Sequence, residues 1–98
     1  MYFKYSFNNS VKTGKIDIVT LSLPMELHIH ANGWSFHVIV GKHTGGNYIC
    51  IPNWNVGSEL ASLTDSFWNR ERLLNYTSLD EQNSIIIATA LSEISHSL

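Results

Sequence analysis

The sequence predicts an α+β fold, in which an antiparallel sheet of about five strands in the N-terminal half carries two to three C-terminal helices packed on one face. Up to Pro52, short β-branched and aromatic runs are separated by Gly, Asn and Pro, and beyond it helix-forming residues dominate. Strands followed by helices are typical of α+β domains, and the first half has no room for helices between its strands. A chain of 98 residues fits one core, so residues 1–98 are predicted to form a single domain.

Five segments of the N-terminal half have the pattern of β-strands. In the first, aromatic and polar residues alternate, as they do in a strand with one buried face. Pro24 and Pro52 end the second and fifth strands, because proline has no N–H to donate to a central ladder. Residues 8–14 are polar and predict a turn-rich connection. The predicted strands are Tyr2–Phe7, Ile16–Leu23, Met25–Ala31, Trp34–Val40 and Asn47–Ile51.

Asn32-Gly33 joins the third and fourth strands and fixes their register. An Asn-Gly pair between alternating residues indicates a two-residue turn, since both turn positions need positive φ. This turn places His28 directly opposite His37. It also sorts the side chains, because successive residues of a strand point to opposite faces of the sheet. The core face then holds Leu27, Ile29, Ala31, Trp34, Phe36, Val38 and Val40, and the outer face holds Glu26, His28, His30, Ser35, His37 and Ile39.

The second half of the sequence predicts helices. Leu60, Leu63 and Phe67 recur at helical spacing. The motif Ser78-Leu79-Asp80-Glu81 fits a capping box, in which the Ser hydroxyl and the Glu carboxylate satisfy N–H groups of the first turn. The predicted helices are a short one at residues 58–62, a longer one from Thr64 or Asp65 to about Tyr76, and a last one from Ser78 to about Ser95.

Composition and charge exclude several classes of protein. Hydrophobic residues make up 44% and charged residues 14% of the chain, which argues against intrinsic disorder. The formal net charge of −2 gives neither a basic nucleic-acid footprint nor a strongly acidic DNA mimic. The longest aliphatic run, residues 85–88, is far too short to span a membrane. A single cysteine suits a reducing compartment, so the cytoplasm is the expected location.

The outer face of the predicted sheet combines histidines with the only cysteine. A fifth strand that keeps Ile49 in the core opposite Val40 places Cys50 on the outer face, opposite Ile39 and diagonal to His37. Three imidazoles and one thiol then converge, and these are the ligands that tetrahedral zinc prefers. The predicted metal ligands are His28, His30, His37 and Cys50, with His43 as a substitute, and the predicted cofactor is Zn²⁺.

Two other interpretations of the same residues stay open. Histidines on the outer face of a sheet are commonly half-exposed side chains without a metal, and Cys50 then serves as a small apolar residue. A Cys50–His37 nucleophile–base pair is the third interpretation, but it requires a cleft and a residue that orients the imidazole. No Asn or Asp is placed for that role in the sequence pattern, so the protein is not expected to be an enzyme.

Residues 35–69 resemble a family of small, mostly uncharacterised proteins of streptococci, related bacteria and their prophages. Some short phage proteins of this kind are similar to anti-CRISPR inhibitors of type II systems, which occupy a Cas9-type nuclease. The resemblance therefore implies a mobile-element origin, a location in the cytoplasm of a bacterial host and an inhibitor role. The weakly charged composition favours a protein partner over direct contact to nucleic acid, and no membrane association is expected. The matching blocks are Phe36–Gly41, Ile51–Trp54, Ser58–Ala61 and Phe67–Asn69.

These observations leave two hypotheses of different class. In the first, the protein is a non-enzymatic inhibitor that binds a Cas9-type effector, with or without a structural zinc. In the second, it is a small zinc-binding accessory domain whose partner the sequence does not identify. The two are compatible, because a metal that binds only the folded state stabilises that state whatever else it binds.

Overall fold

A computed structural model describes residues 1–22, 24–43, 46–52, 56–60 and 79–95. Within these ranges one antiparallel sheet runs in the order β1-β2-β3-β4-β5-β6, so each strand pairs with its neighbours in the sequence. One helix follows the sheet. The elements are β1 (Tyr2–Phe7), β2 (Ser10–Thr20), β3 (Met25–Ala31), β4 (Trp34–His43), β5 (Gly46–Ile51), β6 (Val56–Leu60) and α1 (Glu81–Ser95).

The predicted β3–β4 hairpin is confirmed in its turn and in its register. Asn32 and Gly33 have φ values of 54° and 77°, as a two-residue turn of this type requires. Pairing then continues from Ala31 opposite Trp34 to the other end of β3, with His28 opposite His37. The predicted register of β5 is confirmed as well, since Val40 lies opposite Ile49 and Ile39 opposite Cys50.

The predicted fold class is wrong in its numbers of strands and helices. A sixth strand, Val56–Leu60, pairs with β5 where a short helix at residues 58–62 was predicted. An isolated helix of one turn is marginal in water, whereas this segment satisfies the free backbone edge of β5. In the described part of the chain, α1 is the one helix, against two to three predicted. The predicted helix that ends near Tyr76 lies outside the described residues.

The β1–β2 connection is shorter than the sequence predicts. β2 begins at Ser10, because Asn8 and Asn9 form a two-residue turn with φ values of 51° and 62°. Asparagine tolerates this left-handed conformation better than most residues. The strand then passes through Gly14, which lies opposite Phe3. A Cβ atom at position 14 would lie 2.4 Å from Cζ of the Phe3 ring, so the glycine makes room for that aromatic side chain in the core.

The core lies between one face of the sheet and α1. The helix packs mainly against β1, with further contacts to β3. The predicted core face is confirmed except at the hairpin end, where Trp34 is 51% exposed. The buried apolar side chains are Phe3, Tyr5, Ile16, Met25, Leu27, Ile29, Ala31, Phe36, Val38, Val40, Ile49 and Ile51 from the sheet, and Leu79, Ile86, Ile87, Ala90, Leu91 and Ile94 from the helical segment.

The start of α1 differs from the predicted capping box. Asp80, rather than Ser78, is the N-cap, because its Oδ1 accepts a hydrogen bond of 2.8 Å from the backbone N–H of Asn83. The first helical hydrogen bond runs from the N–H of Ser84 to the carbonyl of Asp80. A carboxylate at this position also interacts favourably with the positive end of the helix dipole. The predicted end at Ser95 is confirmed.

Replacing Asp80 by alanine is expected to reduce the free energy of unfolding by about 1 kcal/mol, because the first turn of α1 loses its cap. Urea denaturation followed by circular dichroism measures this change. Asp80→Asn is the matched control, since the amide oxygen still accepts the hydrogen bond. Equal destabilisation by both variants would show that the carboxylate charge, rather than the cap, stabilises the helix.

Candidate metal centre

The outer face of the sheet brings together polar residues from three strands. In the β2–β3 pairing, Asp17 lies opposite His28 and Lys15 opposite His30. In the β3–β4 pairing, His28 in turn lies opposite His37. Side chains that share a face of an antiparallel sheet contact their direct and diagonal neighbours. The strands therefore place imidazoles and carboxylates side by side, on the face opposite the apolar core.

His28 and His37 form a stacked pair. Their ring centroids are 4.7 Å apart and the rings are inclined by only 8°. Both side chains are half-buried. This confirms the directly opposed pair that the hairpin register predicts, and it places two imidazoles in contact on a rigid part of the sheet.

Glu26 completes this group with a carboxylate. It precedes His28 by two residues on β3, so its side chain lies on the same face and diagonal to His37. Its Oε1 is 2.6 Å from Nε2 of His37. Because a carboxylate only accepts hydrogen bonds, Nε2 of His37 is the protonated nitrogen that donates this one. The two side chains are 32% and 38% exposed, so solvent reaches the pair.

The potential ligand atoms of Glu26, His28 and His37 all lie within 4.8 Å of one another. Among the described residues, these three form the group of histidine, cysteine and acidic side chains that is close enough to hold a metal ion. Two of them, His28 and His37, belong to the set of ligands predicted from the sequence. The third, Glu26, was not among the predicted ligands, which also included His30 and Cys50.

His30 is held in a separate hydrogen-bonded chain. Its Nδ1 is 2.8 Å from Oγ of Ser35, and its Nε2 is 3.0 Å from Oδ2 of Asp17. Lys15 extends the chain, with Nζ 3.5 Å from Oδ1 of the same carboxylate. Both ring nitrogens of His30 are thus engaged, and the residue is not part of the Glu26, His28 and His37 group.

The structure does not bring the predicted cysteine ligand into the group either. Cys50 has a free thiol, is half-buried and lies opposite Ile39, as predicted. The group of three nevertheless forms without it. The side chain of His43, the predicted substitute ligand, lies outside the described part of the structure.

Sequence reasoning missed the roles of Glu26 and Asp17. Glu26 was assigned to the correct face, and its spacing of two residues from His28 was the available signal for a third ligand. Asp17 gave no comparable signal, because its position depends on the register between β2 and β3. That register shifts between Ile18 and Thr20, which no local sequence pattern indicates.

The carboxyl group of Asp17 has a pKa below its ordinary value. Desolvation acts to raise this pKa, but the charge of Lys15 and the hydrogen bonds from His30 and Lys15 together outweigh it. A group whose pKa is lower in the folded than in the unfolded state stabilises the fold when it is ionised. This stabilisation is present above the unfolded pKa of aspartate, about 4, and is lost as the pH falls through the lower folded pKa.

Asp17→Asn is therefore expected to lower the melting temperature at pH 7, because the ion pair with Lys15 is lost. The difference from the unsubstituted protein should shrink as the pH falls below about 4, where the native carboxylate also becomes neutral. Thermal melts at a series of pH values measure this. A difference that stays constant down to pH values of about 2 would mean that the charge of Asp17 does not stabilise the fold.

Among the described residues, no helix combines the length and apolar character needed to cross a membrane.

Comparison with known proteins identifies the family of this chain. No curated protein and no solved structure matches the sequence. The streptococcal and prophage origin that the resemblance implies thus stays a prediction. The model of a family of unknown function, DUF6618, matches residues 1–98. The chain therefore belongs to the DUF6618 family.

Proposed function

We propose that this protein is a small metal-binding domain, which holds a divalent transition metal through Glu26, His28 and His37. The observation that supports this is the approach of three potential ligand atoms to within 4.8 Å of one another on one face of the sheet. Zinc is the first candidate, since imidazole nitrogens and carboxylate oxygens are both zinc ligands. Zinc is also the metal that the sequence predicts, but Glu26 takes the place of His30 and Cys50 among the ligands.

Side-chain movements are needed to form the site. Ligand atoms around a tetrahedral zinc, each about 2.0–2.1 Å from the metal, lie about 3.3 Å from one another. Nε2 of His37 and Oε1 of Glu26 are 2.6 Å apart and need to separate by less than about 1 Å. The stacked rings of His28 and His37 must also rotate, because parallel rings do not aim their nitrogens at one point. The metal then takes the place of the Nε2 proton of His37, which moves to Nδ1 of the ring or to water, and the hydrogen bond to Glu26 is lost.

The sheet holds the backbone of these residues in place. β3 and β4 are paired along their length, and β3 is also paired with β2. On the other face of the two strands, Leu27, Phe36 and Val38 are fully buried. Sites on well-packed strands hold ligands more accurately than sites on loops, so little ordering has to accompany metal binding.

Zinc binding by the purified, untagged protein tests the proposal. Isothermal titration with Zn²⁺ should give about one site per chain, and the melting temperature should rise with zinc and fall with a chelator. His37→Ala should weaken zinc binding by at least 10-fold, because it removes one ligand and the partner of Glu26. Elemental analysis of the protein after dialysis gives an independent stoichiometry.

Control variants test which residues bind the metal: the group that the structure brings together or the four ligands predicted from the sequence. His30→Ala removes a histidine of the same face that is bound to Asp17 and Ser35, and Cys50→Ser removes the thiol of the same face. Both should leave the zinc affinity nearly unchanged. Loss of binding in Cys50→Ser with retention in Glu26→Gln would refute the proposed ligands in favour of the set His28, His30, His37 and Cys50. Absence of zinc binding to the unsubstituted protein would refute the metal site itself.

The role of a Cas9 inhibitor stays a prediction that rests on the resemblance of residues 35–69. Two properties of the chain are compatible with a protein partner. The net charge of −2 disfavours binding to nucleic acid by charge, and Trp34 is 51% exposed at the end of the β3–β4 hairpin. Exposed tryptophans are enriched among the residues that contribute most to protein–protein binding.

A cleavage assay with purified Cas9 and guide RNA checks this prediction. The protein is added before or after the target DNA, and inhibition in either order is the expected result. Trp34→Ala is the informative variant, since it is expected to weaken inhibition while the fold, monitored by circular dichroism, is retained. Cleavage that is unaffected in both orders would contradict the inhibitor role and would leave the metal site untouched.

A further inference from the structure

The described residues supply three ligands to the proposed site, which is one fewer than a tetrahedral metal requires. Among the described residues of this face, two other potential ligands lie outside the group. Both nitrogens of His30 are bound to Asp17 and Ser35, and Cys50 does not belong to the group. A site of two histidines and one carboxylate, with the remaining position taken by water or substrate, is the arrangement of catalytic rather than structural zinc.

The remaining coordination position is reachable from solvent. Glu26 and His37 are 38% and 32% exposed, and they lie on the face of the sheet opposite the buried core. A ligand in that position can therefore exchange with water without any opening of the core.

The charges around the site favour an anion in this position. A divalent metal and the carboxylate of Glu26 together carry a net charge of +1. The other carboxylate on this part of the face, Asp17, is paired with Lys15 at 3.5 Å and with His30 at 3.0 Å. Its negative charge is thus largely balanced within its own hydrogen-bonded chain. A small anion that binds the metal would bring the charge of the site to zero.

We infer that the metal centre of Glu26, His28 and His37 binds small anionic ligands of the carboxylate or azide type directly on the metal. This inference rests on the proposed metal site and names the class of ligand that the site takes. The bond formed is a dative one from the anion to the metal, and a metal-bound water leaves. The protein provides three ligands on paired strands and a side that is open to solvent.

Cobalt substitution tests this inference separately from metal binding itself. Co²⁺ is titrated into the metal-free protein, and the visible absorption of the bound ion reports its coordination. Sodium azide, and sodium acetate in a second experiment, are then titrated into the cobalt protein. A saturable shift of the cobalt bands is the expected result, with a competing loss of the azide shift when acetate is present.

A variant with one more potential protein ligand tests whether the anion binds to the metal itself. Ile39 lies opposite Glu26 on the outer face, so Ile39→His offers a fourth protein ligand next to the group. This variant should bind Co²⁺ more tightly and show a smaller azide-induced shift. His30→Ala, in contrast, should keep the full azide response, because His30 is held outside the site.

The outcomes distinguish the two proposals. Cobalt bands that do not respond to either anion would overturn the inference while leaving the metal site intact, since the coordination sphere would then be complete. An azide response that is unchanged in Ile39→His would also overturn it, because the anion would be bound elsewhere. A protein that develops no cobalt bands at all would overturn the proposed function, and the inference with it.

Discussion

The pairing of β3 with β4 through the Asn32-Gly33 turn determines both the core and the candidate site. Because side chains alternate along a strand, this register sends Leu27, Ile29 and Phe36 to the buried face and the histidines to the other. A slip of one residue would exchange the two sets and bury imidazoles under the helix. The burial of apolar side chains and the juxtaposition of His28 with His37 thus follow from one constraint. The register that gives a stable core therefore also sets the geometry of the site.

The hydrogen-bond partners of the histidines separate the candidate metal group from the neighbouring residues. His30 and His37 are both close to a carboxylate, but the carboxylates come from different strands. Asp17 of β2 holds His30, whereas Glu26 of β3 holds His37 and lies on the same strand as His28. A ligand group within one hairpin depends on a single register, and that register is fixed by the tight turn. The chain formed by Asp17 and His30 depends on a second register, which contains an irregularity.

Features that depend on local residues could be predicted from the sequence, whereas features that depend on distant contacts could not. The bounds of β1 and β3, the hairpin register and the end of α1 depend on local patterns, and all of them agree with the structure. The strand Val56–Leu60 was predicted partly as helix, because its conformation depends on the free edge of β5 rather than on its own residues. The opposed histidines were predicted from the turn. Glu26 was not chosen as a ligand, since the choice among Glu26, His30 and Cys50 depends on side-chain contacts that spacing alone does not determine.

The position of the candidate site on the outer face also bears on what a bound metal would do for the protein. In small zinc domains that lack a sizeable core, metal binding supplies much of the folding free energy, and such domains unfold without it. Here the sheet and α1 bury a continuous apolar core on the opposite face, which contains none of the three candidate ligands. The Glu26–His37 hydrogen bond and the stacked rings keep these polar side chains partnered when no metal is bound. We therefore expect the protein to fold without a metal. The described residues offer three potential ligands, which are partnered without a metal and are reached by solvent. Such a site is suited to binding a further ligand through the metal rather than to holding the chain together.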